Sequence, residues 1–322
     1  QPSFNIGKLK IEKPVMMAPM VGLTHIAFRQ VVVSLGGCGI FYSEMLSARR
    51  ILDDIKQNNV NLKRLSNERP FFYQLVGNDP IEFAKAINAL EEYKDEAGNP
   101  PDGIDINLGC SAPLIRKNKM GAGLLGDQPL VQKIISACRK STQLPLTVKM
   151  RLGENENFED LLQLCLAMIN EGVNAITLHP RLTKERFTRR ARWKYINELQ
   201  RNISIPVIGN GDINTIEDIN LRFQEAGCRG IMIGRGAIMK PWIFRDFCIG
   251  VEGAVSKKEV YYALINNLKK YYAPDDQIRL LKIFTPYYSR NFMFGHNFNT
   301  KIFHAPDINK AEEIAAIFFE KN

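Results

Sequence analysis

The chain has 322 residues, 45% hydrophobic and 24% charged. That balance belongs to water-soluble globular proteins, and no apolar run approaches the roughly 18 residues of a membrane span. The length suits a domain of about 250 residues plus a small second one. Lys and Arg outnumber Asp and Glu by 43 to 34, a formal charge of +9 that suggests an anionic partner.

The opening segment QPSFNIGKLKIEKP lacks the apolar core of a signal peptide. Cysteines stand at 38, 110, 138, 165, 228 and 248. None forms a CxxC pair and no His sits at metal-ligand spacing, so no metal is expected. Reduced thiols in a cytoplasmic protein are the expectation, with a monomer as the default state.

Strand-like and helix-like segments alternate through most of the chain. Val15–Ala18 predicts a first strand, with a helix from Thr24 to Leu35. Ile40–Tyr42 predicts a second strand, ending at Glu44, and Phe71–Val76 a third, followed by a helix over Pro80–Tyr93 with Pro in its first turn. Gly103–Ile106 predicts a fourth strand, with a helix from Pro129 to Lys140. Leu146–Met150 and the amphipathic Phe158–Glu171 come next, then Ala175–Leu178 and a helix near Lys194–Arg201. Pro206–Ile208 with Thr215–Ala226 and Gly230–Ile233 with Pro241–Phe247 complete the series.

Eight short strands, each followed by a helix, match a (β/α)8 TIM barrel over residues 1–248. A doubly wound sheet is the alternative, but no GxGxxG follows the first strand. After Cys248 the strand-like alternation stops. Lys257–Tyr272, Asp276–Tyr288 and Lys310–Glu320 read as helices, so residues 249–322 are expected to form a small all-helical domain.

The barrel makes a sharp prediction, because such barrels carry their chemistry at the C-terminal ends of the strands. Those ends read Pro19-Met20, Glu44, Gln74, Asn107, Lys149, His179, Asn210-Gly211-Asp212 and Gly234-Arg235. Nearly every one offers a hydrogen-bonding or charged group. The last two follow strands seven and eight, the usual barrel location for a phosphate. Lys149 interrupts an apolar strand. It either pairs with a buried acid or presents its ammonium to an anionic ligand. Gln74 and Asn107 supply donor and acceptor pairs for a ring edge or a substrate.

The stretch Asp102–Leu125, DGIDINLGCSAPLIRKNKMGAGLL, concentrates several chemistries. Ile104 and Ile106 alternate with Asp102 and Asp105, and the strand then breaks at Asn107-Leu108-Gly109-Cys110. The Cys110 thiol should lie at the mouth of whatever the strand supports, although many free cysteines are buried hydrophobes. Arg116, Lys117 and Lys119 follow. A second basic run holds Arg181, Lys184, Arg186, Arg189, Arg190, Arg192 and Lys194 against one acid, Glu185. A solvated face mixes signs, so both runs are candidate phosphate contacts.

Taken in order, these motifs resemble the tRNA-dihydrouridine synthases. The resemblance rests on Ala18-Pro19-Met20-Val21-Gly22-Leu23-Thr24, Ser43-Glu44-Met45, Gln74-Leu75-Val76-Gly77 and Asn107-Leu108-Gly109-Cys110. It continues through Thr147-Val148-Lys149-Met150-Arg151, Leu178-His179-Pro180-Arg181, Asn210-Gly211-Asp212-Ile213 and Ile233-Gly234-Arg235-Gly236-Ala237. It implies FMN held by Pro19, Met20, Val21, Gln74, Lys149, His179, Asn210, Gly211, Asp212, Gly234 and Arg235, with Asn107 beside them. It further implies NADPH as reductant, Cys110 as proton donor and tRNA gripped by the helical domain.

The expected reaction adds hydride to C6 of a uracil ring and a proton to C5. Thiols titrate near 8.5, so a thiol acid is protonated at neutral pH. Arg116, Lys117, Lys119, Arg181, Arg186, Arg189 and Arg190 are the expected RNA contacts. The sequence departs from the family pattern at Ser111, where Pro is usual, at Pro180, where Gly is usual, and at Arg190 and Arg192, where Gly and Asp are common. Two other readings compete. A flavin dehydrogenase of the dihydroorotate type would act without RNA, and a non-catalytic RNA-binding barrel would be colourless even with added FMN.

Overall fold

The computed structural model describes residues 3–185 and 189–321. It opens on a feature that the alternation pattern did not reveal, an antiparallel hairpin of β1 (Phe4–Ile6) and β2 (Leu9–Ile11) turning on Gly7 at φ +58°. Eight parallel strands follow: β3 (Val15–Met17), β4 (Phe41–Ser47), β5 (Phe71–Val76), β6 (Gly103–Leu108), β7 (Leu146–Arg151), β8 (Ala175–His179), β9 (Val207–Asn210) and β10 (Gly230–Ile233). They pair in the order β3-β10-β9-β8-β7-β6-β5-β4. Gly39 N–H donates to the Val15 carbonyl (2.7 Å) and Met17 N–H to the Ile40 carbonyl (3.3 Å), which closes the sheet into a barrel.

Helices α1 (Ile26–Leu35), α2 (Ile51–Lys56), α3 (Pro80–Glu92), α4 (Pro113–Lys117), α5 (Gln128–Lys140), α6 (Phe158–Asn170), α7 (Lys194–Asn202), α8 (Ile216–Ala226), α9 (Arg235–Met239) and α10 (Ile243–Ile249) connect the strands or follow them. Four more, α11 (Lys257–Tyr271), α12 (Pro274–Tyr288), α13 (Gly295–Phe303) and α14 (Ile308–Phe319), form the expected C-terminal helical part.

The period of two on each strand sorts side chains between two cores. Ile104, Ile106 and Leu108 of β6 face outward into the large core shared with the helices. Facing inward, Met16, Tyr42, Phe72, Ala175, Ile208 and Met232 fill the barrel floor, and Ile6 and Ile11 of the hairpin pack against them. Gly103 is inward too. A Cβ there would lie 2.4 Å from the Phe72 ring, so β6 has room for no side chain at that level.

Boundaries differ from expectation where polar groups take over. The first helix starts at Ile26, not Thr24, because the Thr24 hydroxyl accepts from Met20 N–H (2.8 Å) and holds the preceding turn. The second strand runs on to Ser47 through a bulge between Tyr42 and Met45, where Ser43 Oγ accepts from Gln74 N–H (2.9 Å). Helix α13 is an element that periodicity did not predict. Its Gly- and Asn-rich sequence hides an apolar pair, Phe298 and Ile302, spaced one turn apart and fully buried.

The C-terminal helices pack on α1. Phe28 meets Phe284 at 5.9 Å between centroids, and Asn267 Nδ2 donates to the Ala27 carbonyl (3.0 Å). Tyr288 and Phe292 belong to this packing, Tyr288 fully buried and Phe292 partly so, whereas Phe294 is exposed.

Arg29 on α1 is buried and binds Glu68 Oε2 (3.1 Å), the Thr24 carbonyl (3.2 Å) and the Lys63 carbonyl (2.6 Å). Removing one partner of such a pair strands the other charge. Arg29→Ala should therefore destabilise the chain by about 3–5 kcal/mol. Chemical denaturation measures this, and a loss below about 1 kcal/mol would show that water reaches Glu68 in the folded state.

Candidate active site

The C-terminal ends of the strands surround one cavity of about 330 Å³. Its apolar side is built by Ala18, Pro19, Met20, Met45 and Met232. Its polar side gathers Gln74, Asn107, Lys149, Arg151, His179, Arg181, Asn210, Asp212 and Arg235, with the backbone of Gly211 and Gly234 between them. Each of the twelve residues expected to hold the cofactor lines this cavity, and so does Cys110. Val21 is at the rim, 65% exposed.

Strand register explains the convergence. Gln74, Asp105 and Thr147 are partners across β5, β6 and β7, and one step higher Asn107 is the partner of Lys149. Arg151 and His179 stand opposite each other one step above that. These side chains share the inward face because they alternate with outward apolar ones.

Asp105 is fully buried. Its Oδ2 accepts from Gln74 Nε2 (2.7 Å) and its Oδ1 from Thr147 Oγ1 (2.6 Å). Gln74 Oε1 in turn accepts from Asn107 Nδ2 (2.9 Å). Asn107 Oδ1 then accepts the backbone N–H groups of Gly109 (3.1 Å) and Cys110 (2.9 Å). Asn107 thus shapes the Cys110 turn as well as lining the cavity. In the sequence Asp105 stands out only as a polar strand residue, because its role lies in register across strands.

Burial raises the Asp105 carboxyl to about 6, against hydrogen bonds from Thr147 and Gln74 and the nearby Lys149 charge. Burial also lowers Lys149 to about 8. Asp105 opposes that shift and Arg151 reinforces it. Lys149 therefore remains largely protonated at neutral pH, at the cavity wall above a buried acid.

The opposite wall is held by Arg181, which is 1% exposed. Its guanidinium makes two bonds to Asp212 (2.6 and 2.8 Å) and one to the Arg189 carbonyl (2.5 Å). It lies 2.8 Å from His179 Nε2. A guanidinium only donates, so Nε2 is the acceptor and the ring proton sits on Nδ1. Burial and the surrounding Lys149, Arg151, Arg181 and Arg235 charges push His179 well below its ordinary value, so its ring is neutral.

Arg181, expected to reach phosphate or substrate, is thus set apart from the rest of the basic run. Its charge is turned into the cavity and engaged with Asp212. Asp212 is likewise committed to protein, since it also accepts from Ala191 N–H (2.8 Å). Glu44, by contrast, does not line the cavity. Its carboxylate accepts from Gly22 N–H and so fixes the turn that carries Met20 and Val21.

The other basic residues lie outside the cavity. Arg116, Lys117 and Lys119 are exposed on α4 and just after it, directly following Cys110, and Arg116 pairs with Glu154 (3.2 Å). Arg189 and Arg190 are exposed, while Arg186 falls outside the described residues. Arg192 is engaged by Glu185 and Glu156. Arg151, to which the sequence alone assigned no role, donates to the carbonyls of Gly109 (3.2 Å), Leu182 (3.0 Å) and Glu185 (3.0 Å). It thereby ties the Cys110 turn to the basic loop.

The donor set fits a flat, anionic cofactor. Methionines and Pro19 offer an apolar face, and Lys149, His179, Arg181 and Arg235 place positive charge and donors around it. At Gly234 a Cβ would approach Met20 Sδ to 3.4 Å and Ala18 Cβ to 3.8 Å, filling space that glycine leaves open. Gly211, at φ +126°, lets the chain turn beside the His179 ring. Among the described residues no group of three or more His, Cys, Asp and Glu could hold a metal, and no helix is long and apolar enough to cross a membrane.

A parallel eight-stranded barrel with such a cavity at its C-terminal rim defines a TIM-barrel enzyme of the cofactor-binding kind. The sequence pattern of the family described as "Dihydrouridine synthase (Dus)" matches residues 16–299. The chain belongs to that family, whose members are flavin-dependent oxidoreductases.

A protein of Aquifex aeolicus (strain VF5) named "Probable tRNA-dihydrouridine synthase" is 34% identical over 241 residues, 72% of each chain. The "tRNA-dihydrouridine synthase B" of Pasteurella multocida (strain Pm70) is 29% identical over 308 residues, covering 92% of this chain and 91% of its own. Among solved structures, a 2-naphthoyl-CoA reductase complex superposes with a TM-score of 0.60 at 11% identity, over 82% of this chain and 55% of that one. Morphinone reductase in complex with tetrahydroNAD gives 0.55 at 10% identity, over 78% and 91%. At such identities the likeness concerns the fold alone.

The Asp105 shift carries a pH signature. The folded value lies above the unfolded one, so the group's contribution to stability is present below about pH 4 and lost as pH rises through about 6. Asp105→Asn removes that titration while keeping an acceptor and a donor. The variant should gain on the parent between about pH 4 and pH 7, by up to roughly 2–3 kcal/mol. Denaturation at both pH values measures the gain. A difference that does not change with pH would mean that the carboxylate is solvated.

Proposed function

We propose that the chain reduces the C5–C6 double bond of uridines in tRNA to 5,6-dihydrouridine, with FMN as the flavin and NADPH as its reductant. The observation that carries this reading is the convergence of Cys110 and the twelve expected cofactor residues on one cavity. Family membership and the names of the two relatives support tRNA as the substrate.

Pro19, Met20, Val21, Gln74, Asn107 and Lys149 would hold the FMN ring. His179, Asn210, Gly234, Arg235 and the backbone of Gly211 and Asp212 would hold its phosphate side. FMN reduced by NADPH supplies the hydride that C6 of the uracil ring receives. Lys149 places positive charge at the cavity wall, where it favours an electron-rich ring. Cys110 gives its proton to C5 and regains one from solvent, so the uracil ring takes up one hydride and one proton. Asn107, by accepting the Cys110 N–H, fixes the backbone turn that carries the thiol.

A base inside folded RNA must leave its stack to reach a cavity walled by strands. The exposed cations Arg116, Lys117, Lys119, Arg189 and Arg190 would meet phosphates at the rim, and the C-terminal helices 249–322 extend the surface available to RNA. Charge reversal at Lys117 and Lys119 should weaken tRNA binding and flatten the log–log salt dependence by about 0.7–0.9 for each phosphate that is no longer neutralised. Titration at several salt concentrations checks this, and unchanged affinity would exclude α4 from the interface.

The reaction itself is tested by nucleoside mass spectrometry of unmodified tRNA incubated with the protein, FMN and NADPH. A gain of about two mass units on a uridine, absent with Cys110→Ala, is expected. A yellow protein that oxidises NADPH but leaves tRNA unchanged would point to a small-molecule flavoenzyme.

A further inference from the structure

Asp105 has no part in the chemistry assigned above, yet it begins a continuous hydrogen-bonded chain that ends at Cys110. Its carboxylate accepts from Gln74 Nε2, Gln74 Oε1 accepts from Asn107 Nδ2, and Asn107 Oδ1 accepts from the Gly109 and Cys110 N–H groups. Each link is between 2.7 and 3.1 Å. Asp105 and Gln74 are fully buried and Asn107 nearly so.

An amide can be turned end for end at little cost unless its neighbours distinguish N from O. A carboxylate can only accept, so it dictates which end of Gln74 faces it. The Gln74 oxygen is thereby aimed at Asn107 Nδ2, and it holds Asn107 from one end while the Gly109 and Cys110 N–H groups, which only donate, hold its oxygen from the other. Thr147 Oγ1 takes the second carboxylate oxygen, so the carboxylate itself cannot rotate away (2.6 Å).

We propose that Asp105 is a positioning residue whose acceptor-only carboxylate sets the orientation of the Gln74 amide, which anchors Asn107 and, through it, the placement of the Cys110 thiol. The consequence for uridine reduction rests on the reading of Cys110 as proton donor; the effect on the thiol does not. Burial of the carboxylate strengthens the control, because a weakly screened interior favours one hydrogen-bonding pattern over its reverse.

The test is the rate of Cys110 alkylation by iodoacetamide, followed by peptide mass spectrometry on the full chain without RNA or reductant. Asp105→Ala and Asn107→Ala should each change that rate about threefold or more, in the same direction, and the double variant should change it no further than Asn107→Ala alone. Asp105→Asn, whose amide can also turn its nitrogen toward Gln74, removes the acceptor-only requirement and should change the rate in the same direction as Asp105→Ala. If Asp105→Ala does not fold, Asp105→Leu replaces it, since exchanging a buried charge for an apolar side chain of similar volume is often tolerated.

Unchanged alkylation in Asp105→Ala or Asp105→Leu, effects that multiply in the double variant, or an Asp105→Asn that alkylates as the parent does would each overturn the proposal. Coupled alkylation with no uridine reduction would remove Cys110 as proton donor and leave the positioning chain standing. Reduction without coupling would remove the chain alone.

Discussion

A carboxylate inside a barrel of apolar side chains must find donors or give up its charge. Asp105 finds Gln74 and Thr147, its partners on the two adjacent strands. That arrangement holds only in one register. A slip of one residue would send Asp105 outward among Ile104 and Ile106 and bring an isoleucine into the site. The requirement that satisfies one buried charge therefore also fixes which residues of β5, β6 and β7 look into the cavity. Below this level the interior is apolar and closed by the hairpin. Above it Lys149, Asn107, Arg151 and His179 become possible, because the barrel opens to a ligand.

The far wall solves a similar problem with an ion pair. Arg181 leaves β8 two residues after His179, and Asp212 leaves β9 two residues after Asn210. Their contact joins two loops, and Asp212 also takes the Ala191 N–H, so the basic loop is tied back to the barrel at a described point. Trp193 Nε1 donates to the Gly211 carbonyl (3.1 Å) and fastens the same corner. One half-buried pair thus shapes the cavity and anchors the surface loop that carries Arg189 and Arg190.

The strand count, the barrel and the residues at strand ends could be read in the chain because they depend on local alternation. Phe71–Val76 and Gly230–Ile233 have the expected bounds, each being an apolar run closed by a glycine or a polar end. What local reading could not supply was long-range pairing. The hairpin of β1 and β2 is two strands of three residues, too short for a period to show. Arg181 looked like one more cation of a basic run, and only the approach of Asp212, thirty-one positions on, separates it from Arg189 and Arg190. Asp105 looked like the polar half of an alternating strand, because Gln74 lies thirty-one residues before it and Thr147 forty-two after.

The positive charge of the chain consequently works in two ways. On the rim, exposed Lys117, Lys119, Arg189 and Arg190 are screened by water and salt, and each would add a weak, long-range attraction summed over the phosphates of a bound RNA. Inside the cavity the charges are few and costly. Burial lowers Lys149, Arg151 and Arg235 from their ordinary values, and a positive neighbour deepens each shift: Arg151 beside Lys149, and Arg181 beside the other two. Such a cluster is electrostatically strained alone and relaxed by an anion, so an anionic group bound there stabilises the fold that binds it. Under the proposed function, rim and cavity would therefore serve different partners with the same type of side chain. The rim would attract a polyanion by summed charge, and the cavity would hold one anionic molecule by fixed geometry.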